Sequence, residues 1–340
     1  MPAPDLVPLS LLVDDGCPLV HVFRYHWEHV HAERPVTRDG RPMLDVVPNV
    51  FLESFCDVVE GYGLRGKFSI VPAPAARGDV VSGINEDPAA TRFWIETMKR
   101  RLGGAFDFCP EGITHDLTVN LATGEMLDKG ESVWSQTQDR AALTPYLTRE
   151  LRYLKDAGID ATGITSPWIF GMDVEGEYIA SMVAAQRAVY NRERSWYFLH
   201  MLDKHPSVRP WVAYREGPTE LVAIASTVDD VFWKTIDSPR NDRAWLLELT
   251  DEIITADGRG GKIRGVLDAG GWPVLLTHWQ SLFSNGLCTG LLVLEEVARR
   301  VRKLLDGEVR WASASELMEA TLTAGPPRPE FLQPISIGAV

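Results

Sequence analysis

Two adjacent carboxylates, Asp14 and Asp15, end an apolar run at residues 9–16 of this sequence. Such a run is typical of a buried parallel strand that delivers acidic side chains to the rim of a sheet. The two carboxylates repel each other unless a positive charge lies beside them, so a metal cation is a natural partner. The alternative is that the pair caps the following segment and that Gly16 forms a turn.

Ionisable side chains also follow two later apolar runs. Glu111 and His115 stand four residues apart just after one predicted strand, and His278 ends another. Since the chemistry of parallel barrels lies where the strands end, we expect these side chains to gather near the aspartate pair. The alternatives are a helix N-terminal turn that carries Glu111, and a hydrogen-bonded core histidine at position 278.

Together these side chains predict a metal-assisted hydrolysis of an amide or an ester. Asp15, Glu111 and His115 would hold one divalent cation, with zinc as the first expectation and manganese, iron or cobalt as alternatives. The cation would lower the pKa of a water molecule and polarise an acyl oxygen. Asp14 would accept the proton of the water as general base, and His278 would protonate the leaving group as general acid.

A histidine-rich segment follows the first predicted strand. Four of the eight histidines lie there, namely His21, His26, His29 and His31. The cluster could ligate metal, line a pocket or lie on a loop. The eleven tryptophans suit an aromatic cleft that stacks on sugar rings, although core packing is their commoner use. The side chains predicted to contact substrate are His26, Trp27, Pro167, Trp168, Trp279 and Asn285.

Composition narrows the classes of partner. The formal net charge of −13 argues against nucleic acid or an anionic membrane as the binding partner. We therefore expect a small-molecule or oligosaccharide substrate, and the chain could form a homo-oligomer. The four cysteines are scattered without a C-x-x-C pair, so neither a zinc knuckle nor a disulfide framework is expected. The N-terminal apolar run is too short to span a bilayer and lacks a basic flank, so we expect a cytoplasmic protein.

The elements that position these residues alternate between strand and helix. This pattern predicts the α/β class and a single distorted (β/α) barrel of about seven parallel strands over residues 1–324. A loop insertion is expected near residues 17–48, a polar excursion at 121–138 and an extended tail at 325–340. The predicted strands are 9–16, 67–74, 106–109, 161–165, 210–215, 221–225, 272–277 and 309–311, and residues 196–202 form either another strand or an extension of the preceding helix. The predicted helices are 49–61, 88–102, 140–158, 175–191, 243–256, 291–305 and 314–321.

The order of these motifs over most of residues 9–320 resembles the polysaccharide deacetylase (NodB-homology, carbohydrate esterase) superfamily. Asp14-Asp15-Gly16 is similar to its first motif, in which the first Asp is the general base and the second binds a divalent metal. Its second motif is a His-x-x-x-His pair of metal ligands. Glu111 therefore stands in the place of the first histidine and His115 in that of the second.

Two further motifs complete the resemblance. The third is Arg-x-Pro followed by an aromatic residue, and Thr165-Ser166-Pro167-Trp168 keeps the proline and the aromatic but lacks the arginine. The last is a hydrophobic strand that ends in histidine, which residues 274–278 match. The resemblance implies a divergent NodB-like member that removes an acyl group from a carbohydrate-like substrate.

Other functions on the same fold stay open at this point. One is glycosidic cleavage by paired carboxylates such as Asp14 and Asp173, which their separation would help to judge. Another is hydrolysis of a ring amide, as in amidohydrolases of similar fold. A third is a non-catalytic carbohydrate-binding protein with a degenerate site. A second acidic pair, Asp229 and Asp230, is predicted to cap a helix or to be solvated rather than to bind a second metal.

Overall fold

The computed structural model describes residues 6–31, 33 and 35–337, with only the backbone of His31. The strands are β1 (Val7–Gly16), β2 (Gly66–Ile70), β3 (Gly78–Asp79), β4 (Gly83–Ile84), β5 (Phe106–Pro110), β6 (Leu117–Val119), β7 (Met126–Gly130), β8 (Gly163–Thr165), β9 (Arg194–Met201), β10 (Trp211–Glu216), β11 (Thr219–Ser226), β12 (Val274–His278) and β13 (Val309–Trp311). The helices are α1 (Val22–His31), α2 (Asn49–Tyr62), α3 (Pro88–Leu102), α4 (Glu131–Ser135), α5 (Arg140–Asp156), α6 (Glu175–Tyr190), α7 (Arg243–Ile253), α8 (Lys262–Asp268), α9 (Trp279–Phe283), α10 (Thr289–Leu304) and α11 (Ala314–Ala324).

Seven parallel strands follow one another around a ring in the order β1, β2, β5, β8, β9, β11 and β12. Continuous ladders join β12, β1, β2 and β5, and a second ladder joins β8, β9 and β11. At the two remaining seams, between β5 and β8 and between β11 and β12, the strands are joined by isolated parallel bridges. The bridges between β5 and β8 are Phe108–Ala161 and Glu111–Thr165, and the bridge between the end of β11 and β12 is Val228–Leu275. The predicted α/β class and the seven parallel strands are confirmed, and the looser pairing at the two seams is what distorts the barrel.

The first strand is buried on both faces, which explains its nearly continuous apolar sequence. Leu11, Leu12 and Val13 are fully buried, and side chains along a strand alternate between faces. Leu12 and Asp14 therefore share one face. Leu12 packs in the cluster that contains Phe198 and Leu276.

Side-chain caps explain where several predicted helices begin. Asp87 precedes α3 and accepts a hydrogen bond from the backbone N–H of Ala90 at 2.9 Å. Asp139 does the same for α5 through Ala142 at 3.0 Å. Because these caps are local in sequence, the starts of both helices could be predicted from the sequence alone.

Several segments contain structure that the sequence did not predict. The expected loop insertion at residues 17–48 includes the helix α1, the expected excursion at 121–138 includes β7 and α4, and residues 262–268 form α8. The short strands β3, β4 and β6 and the short helix α9 were not predicted either. These elements are short, so most of their stability comes from packing against the barrel rather than from their own propensity. The tail at 326–337 has no helix or strand. No helix in the described part of the chain is both long and apolar enough to cross a membrane.

Candidate active site

One pocket of about 290 Å³ lies where several barrel strands end. Its lining residues are Asp14, Asp15, Glu111, His115, Ser166, Trp168, Phe198, Leu199, Met201, Asp229, Asp230, Trp233, Leu276 and His278. The structure thus brings together all five side chains for which the sequence predicted a chemical role. Charged groups come from β1, from β12 and from the segments that follow β5 and β11, whereas β9 contributes an apolar wall.

Asp15, Glu111 and His115 form a compact, buried group of potential metal ligands. His115 Nε2 lies 2.8 Å from Asp15 Oδ1 and 3.7 Å from Glu111 Oε1. One donor atom from each residue lies within 4.8 Å of the others, and no other such group occurs in the described part of the chain. Asp15 Oδ1 is buried against His115 Nε2, and the buried His115 Nδ1 has no hydrogen-bond partner. Two buried carboxylates and one imidazole fit a divalent cation.

The pKa values in this group reflect crowded charges at low dielectric. Burial raises the pKa of Glu111, and the nearby carboxylates of Asp14 and Asp15 raise it further. Burial alone would also raise the pKa of Asp15, but the charge and hydrogen bond of His115, together with the charges of His278 and Lys67, outweigh burial and hold the pKa below its usual range. Extra positive charge here would therefore stabilise the fully ionised form of the carboxylates.

The backbone around the ligand group is held in unusual conformations. Asp15 and His115 have positive φ angles of 62° and 54°, and the β1–β2 pairing shifts register between Val13 and Gly16. Positive φ is uncommon for residues with a side chain and persists where surrounding contacts enforce it. The backbone N–H of Asp15 supplies one such contact by donating to Glu111 Oε2 at 2.7 Å.

A buried carboxylate, Glu131, holds the loop that carries His115. Its oxygens accept hydrogen bonds from the backbone N–H groups of Ile113, Thr114 and His115 at 2.9, 3.0 and 2.8 Å. The hydroxyl of Tyr146 also donates to Glu131 at 2.6 Å. Glu131 satisfies three consecutive amide groups and thereby orients the histidine. Sequence analysis missed it because it lies in the segment predicted as a polar excursion.

His278 is paired with Asp230, whose Oδ2 lies 2.7 Å from His278 Nδ1. Asp230 Oδ1 accepts from the backbone N–H of Trp233, so it caps the 3₁₀ turn Val231–Thr235, as the sequence predicted. Its pairing with His278 was missed. Burial alone would lower the pKa of His278, but the hydrogen bond with Asp230 and the charges of the nearby carboxylates raise it to about 9. The imidazole is therefore protonated at neutral pH.

Asp14 is paired with a lysine that the sequence analysis also missed. Lys67 is fully buried on β2, and its Nζ donates to Asp14 Oδ1 and, at 2.8 Å, to Thr165 Oγ1. A lone lysine within a predicted buried strand was the signal that could have identified it, because buried lysines are rare unless they are paired.

The residues predicted to contact substrate lie in several places. Trp168 is about half exposed at the mouth of the pocket, and His26 stacks against it with ring centroids 5.6 Å apart. Pro167 is buried and does not line the pocket. Trp27 lines an adjoining groove of about 370 Å³ that shares Trp233 with the pocket.

Like Pro167, two further predicted substrate contacts require correction. Trp279 is fully buried and packs against Phe51 and Phe68, with ring centroids 4.5 and 5.3 Å away. Asn285 accepts a hydrogen bond from the backbone N–H of Leu44 at 2.7 Å and so anchors a loop. Neither side chain lines the pocket, because the short helix α9 turns this segment towards α2 and the core.

The remaining predicted groups also lie outside the ligand group. Asp173 is exposed and lines a separate cavity beside the C-terminal tail, so it does not pair with Asp14 as glycosidase chemistry would require. His21 is buried, and burial lowers its pKa to about 4. His29 lies against Asp116 rather than against the proposed ligands. The side chain of His31 lies outside the described residues.

The barrel is similar to those of several known structures. The sequence matches no protein-family model, and no curated protein matches it significantly. A protein from Mycobacterium smegmatis, provisionally described as a polysaccharide deacetylase, aligns over 98% of this chain and 96% of its own length, with 16% identity and a TM-score of 0.58. A protein from Parabacteroides distasonis, provisionally described as a glycoside hydrolase/deacetylase, aligns over 94% and 72%, with 10% identity and a TM-score of 0.50. At these identities the similarity shows a common fold, which is the NodB-like fold that the resemblance implied.

Proposed function

We propose that this chain is a metal-dependent hydrolase of the polysaccharide deacetylase type, which removes an acyl group from an amide or ester on a carbohydrate-like substrate. One observation carries this proposal. The buried donors of Asp15, Glu111 and His115 converge in the same pocket as Asp14 and His278. The shared fold is consistent with this chemistry, since one structural neighbour is provisionally described as a polysaccharide deacetylase and the other as a glycoside hydrolase/deacetylase.

Asp15, Glu111 and His115 would hold the divalent cation. Zinc suits a set that includes imidazole, and the two carboxylates also admit manganese, iron or cobalt. When bound, such a cation lowers the pKa of water and polarises an acyl oxygen.

The flanking residues would carry out the proton transfers. Asp14 lines the pocket beside Asp15 and would accept a proton from the attacking water as general base. His278, which Asp230 keeps protonated, would donate its proton to the leaving amine or alkoxide. Asp14 and His278 face each other as register partners on the paired strands β1 and β12, so the base and the acid would act within one pocket.

The other side of the pocket would bind the body of the substrate. The half-exposed Trp168 and the partly buried Trp233 line this side, with their rings 6.4 Å apart and nearly perpendicular. Trp233 continues into the groove lined by Trp27 and Phe23, and this aromatic surface suits the apolar faces of sugar rings. The proposed substrate is therefore a small saccharide or an oligosaccharide.

The first experiment is to measure the metal content of the purified protein by mass spectrometry and to assay the release of acetate from acetylated sugars. We expect about one divalent ion per chain in the wild type, and its loss in Asp15→Ala and His115→Ala. Asp173→Ala removes an exposed carboxylate outside the pocket and serves as the matched control. Absence of bound metal after reconstitution with zinc, manganese or cobalt would refute the proposed mechanism and favour a non-catalytic sugar-binding protein.

A further inference from the structure

Lys67 is a fully buried cation in the wall of the barrel beneath the candidate active site. It pairs with Leu12 in the register of β1 and β2, and its side chain reaches Asp14, two residues further along β1. Its Nζ lies 4.9 Å from the centre of the Phe198 ring and 2.8 Å from Thr165 Oγ1. Asp14 is the carboxylate in contact with this ammonium group.

A buried ammonium group without a counter-charge is strongly unfavourable, so Lys67 and Asp14 depend on each other. Lys67 is fully buried, and the Asp14 side chain is only 5% exposed. Removing either partner would leave an uncompensated charge in the barrel. The contact therefore constrains the Asp14 carboxylate much more strongly than a surface ion pair would.

The adjacent aspartates have different partners although they are neighbours in sequence. Asp15 Oδ1 faces His115 and belongs to the group of metal-ligand donors, whereas Asp14 Oδ1 is held by Lys67 and does not belong to that group. A free carboxylate beside Asp15 would compete for a cation, because both side chains line the same pocket. The ion pair occupies one of the two Asp14 oxygens.

Lys67 also contacts position 165 on β8. The third motif of the polysaccharide deacetylases has an arginine where this chain has Thr165, and the Thr165 hydroxyl accepts a hydrogen bond from Lys67. Lys67, on β2, thus places a positive charge beside position 165 on β8, where the motif has an arginine and this chain does not. The two strands flank β5 in the ring, so side chains from both reach the same interior region.

We propose that Lys67 is the positioning residue for Asp14, which it keeps out of the metal site and orients towards the pocket. This inference rests on the proposed function, in which Asp15 binds the cation and Asp14 acts as the base. Lys67 does not line the pocket and is not one of the metal-ligand donors. Among the residues of the proposed reaction, its hydrogen bond goes to the Asp14 carboxylate.

The test compares wild type, Lys67→Met, Lys67→Arg and the double variant Lys67→Ala/Thr165→Arg, with the exposed Lys129→Met as control. Each protein is loaded with Co²⁺, and its metal content, visible absorption spectrum and hydrolysis of an acetylated sugar are measured. We expect Lys67→Met to keep one metal per chain but to lose about 10- to 100-fold in kcat, because it disturbs the general base. Its Co²⁺ spectrum should change, because Asp14 is released towards the metal.

Recovery in the double variant is the decisive result. An arginine at position 165 should restore the wild-type spectrum, since it supplies the same charge to Asp14 from β8. The kcat of the double variant should be at least about tenfold higher than that of Lys67→Met. Lys67→Arg should lie between wild type and Lys67→Met. A Lys67→Met protein with wild-type kcat and spectrum, or a folded double variant without recovery of either, would overturn the proposal.

Thermal unfolding of the metal-free protein separates this inference from the proposed function. Lys67→Met should lower Tm much more in the Asp14 background than in the Asp14→Asn background, because only the first leaves a buried charge unpaired. Equal decreases in Tm in both backgrounds would refute the pairing of Lys67 with Asp14. If the wild type binds metal but hydrolyses no acylated sugar, the proposed function fails, while the spectra and the Tm comparison still decide the role of Lys67.

Discussion

Replacing Asp230 by asparagine tests the assignment of His278 as general acid. The change removes the negative charge that lies 2.7 Å from His278 Nδ1. Its amide oxygen can still accept the hydrogen bond from the backbone N–H of Trp233, so the cap of the 3₁₀ turn is kept. The perturbation is thus mainly electrostatic, and it acts on the proton that the proposed reaction uses.

The size of the effect follows from the contact between the two side chains. A hydrogen bond to a charged group contributes about 1.5–3 kcal/mol. At 1.36 kcal/mol per pKa unit, its loss lowers the pKa of His278 by roughly one to two units. The wild-type pKa is about 9, and the carboxylates of Asp14 and Asp15 still face the imidazole in the variant. The pKa should therefore decrease to about 7–8.

The pH dependence of kcat measures this change. A general acid acts in its protonated form, so activity is present below the pKa of His278 and is lost as the pH rises through it. The alkaline limb should lie near pH 9 in the wild type and near pH 7–8 in Asp230→Asn, with unchanged metal content. Asp229→Asn is the matched control, because that neighbouring carboxylate pairs with Lys262 instead.

An alkaline limb that stays in place in Asp230→Asn would refute the reasoning. The same pKa can be read without any substrate by following the imidazole protons of His278 in NMR spectra across pH 6–10. This measurement shows whether Asp230 controls the histidine even if the true substrate is not among the sugars tested.

Three further predictions concern the loop, the core and a buried acid. Glu131→Gln replaces an acceptor oxygen by an amide group that donates, so the affinity for metal should decrease about 10- to 100-fold in a chelator competition. Tyr146→Phe should cause a smaller loss of affinity. Affinities equal to that of the wild type would mean that the loop keeps its conformation without Glu131. Trp279→Ala should lower the free energy of unfolding in urea by about 3–5 kcal/mol and leave KM unchanged, whereas a raised KM with normal stability would restore its role in binding substrate. Glu150 is buried with no hydrogen bond to either oxygen, and burial raises its pKa well above the usual value. The folded protein therefore holds this proton more tightly than the unfolded chain does, so the free energy of unfolding decreases as the pH rises. Glu150→Met should therefore raise the free energy of unfolding at pH 7 by about 1–3 kcal/mol, a gain that shrinks towards pH 4; no gain at pH 7 would contradict this account.

Patterns that are local along the chain were enough to predict the barrel and the place of its site. The apolar run of β1 reflects burial on both faces, and the caps Asp87 and Asp139 lie next to the helices that they start. Ionisable residues at strand ends could be assigned to one rim because parallel strands all end on the same side of the sheet. These inferences depend on neighbours in sequence or on a rule that holds for every parallel barrel.

Only the tertiary structure decided which charges pair with one another. Lys67 lies 53 residues from Asp14 in sequence, and Asp230 lies 48 residues from His278. Such contacts depend on strand order, on register and on a shift in the β1–β2 ladder, and none of these leaves a local pattern in the sequence. The sequence also does not show which face of a short helix is buried. The five residues of α9 make fewer than two turns, so their pattern cannot show whether Trp279 points to the core or to the pocket. Residue types thus determined which chemical groups are available, and the packing of strands decided which of these side chains lie together in the pocket.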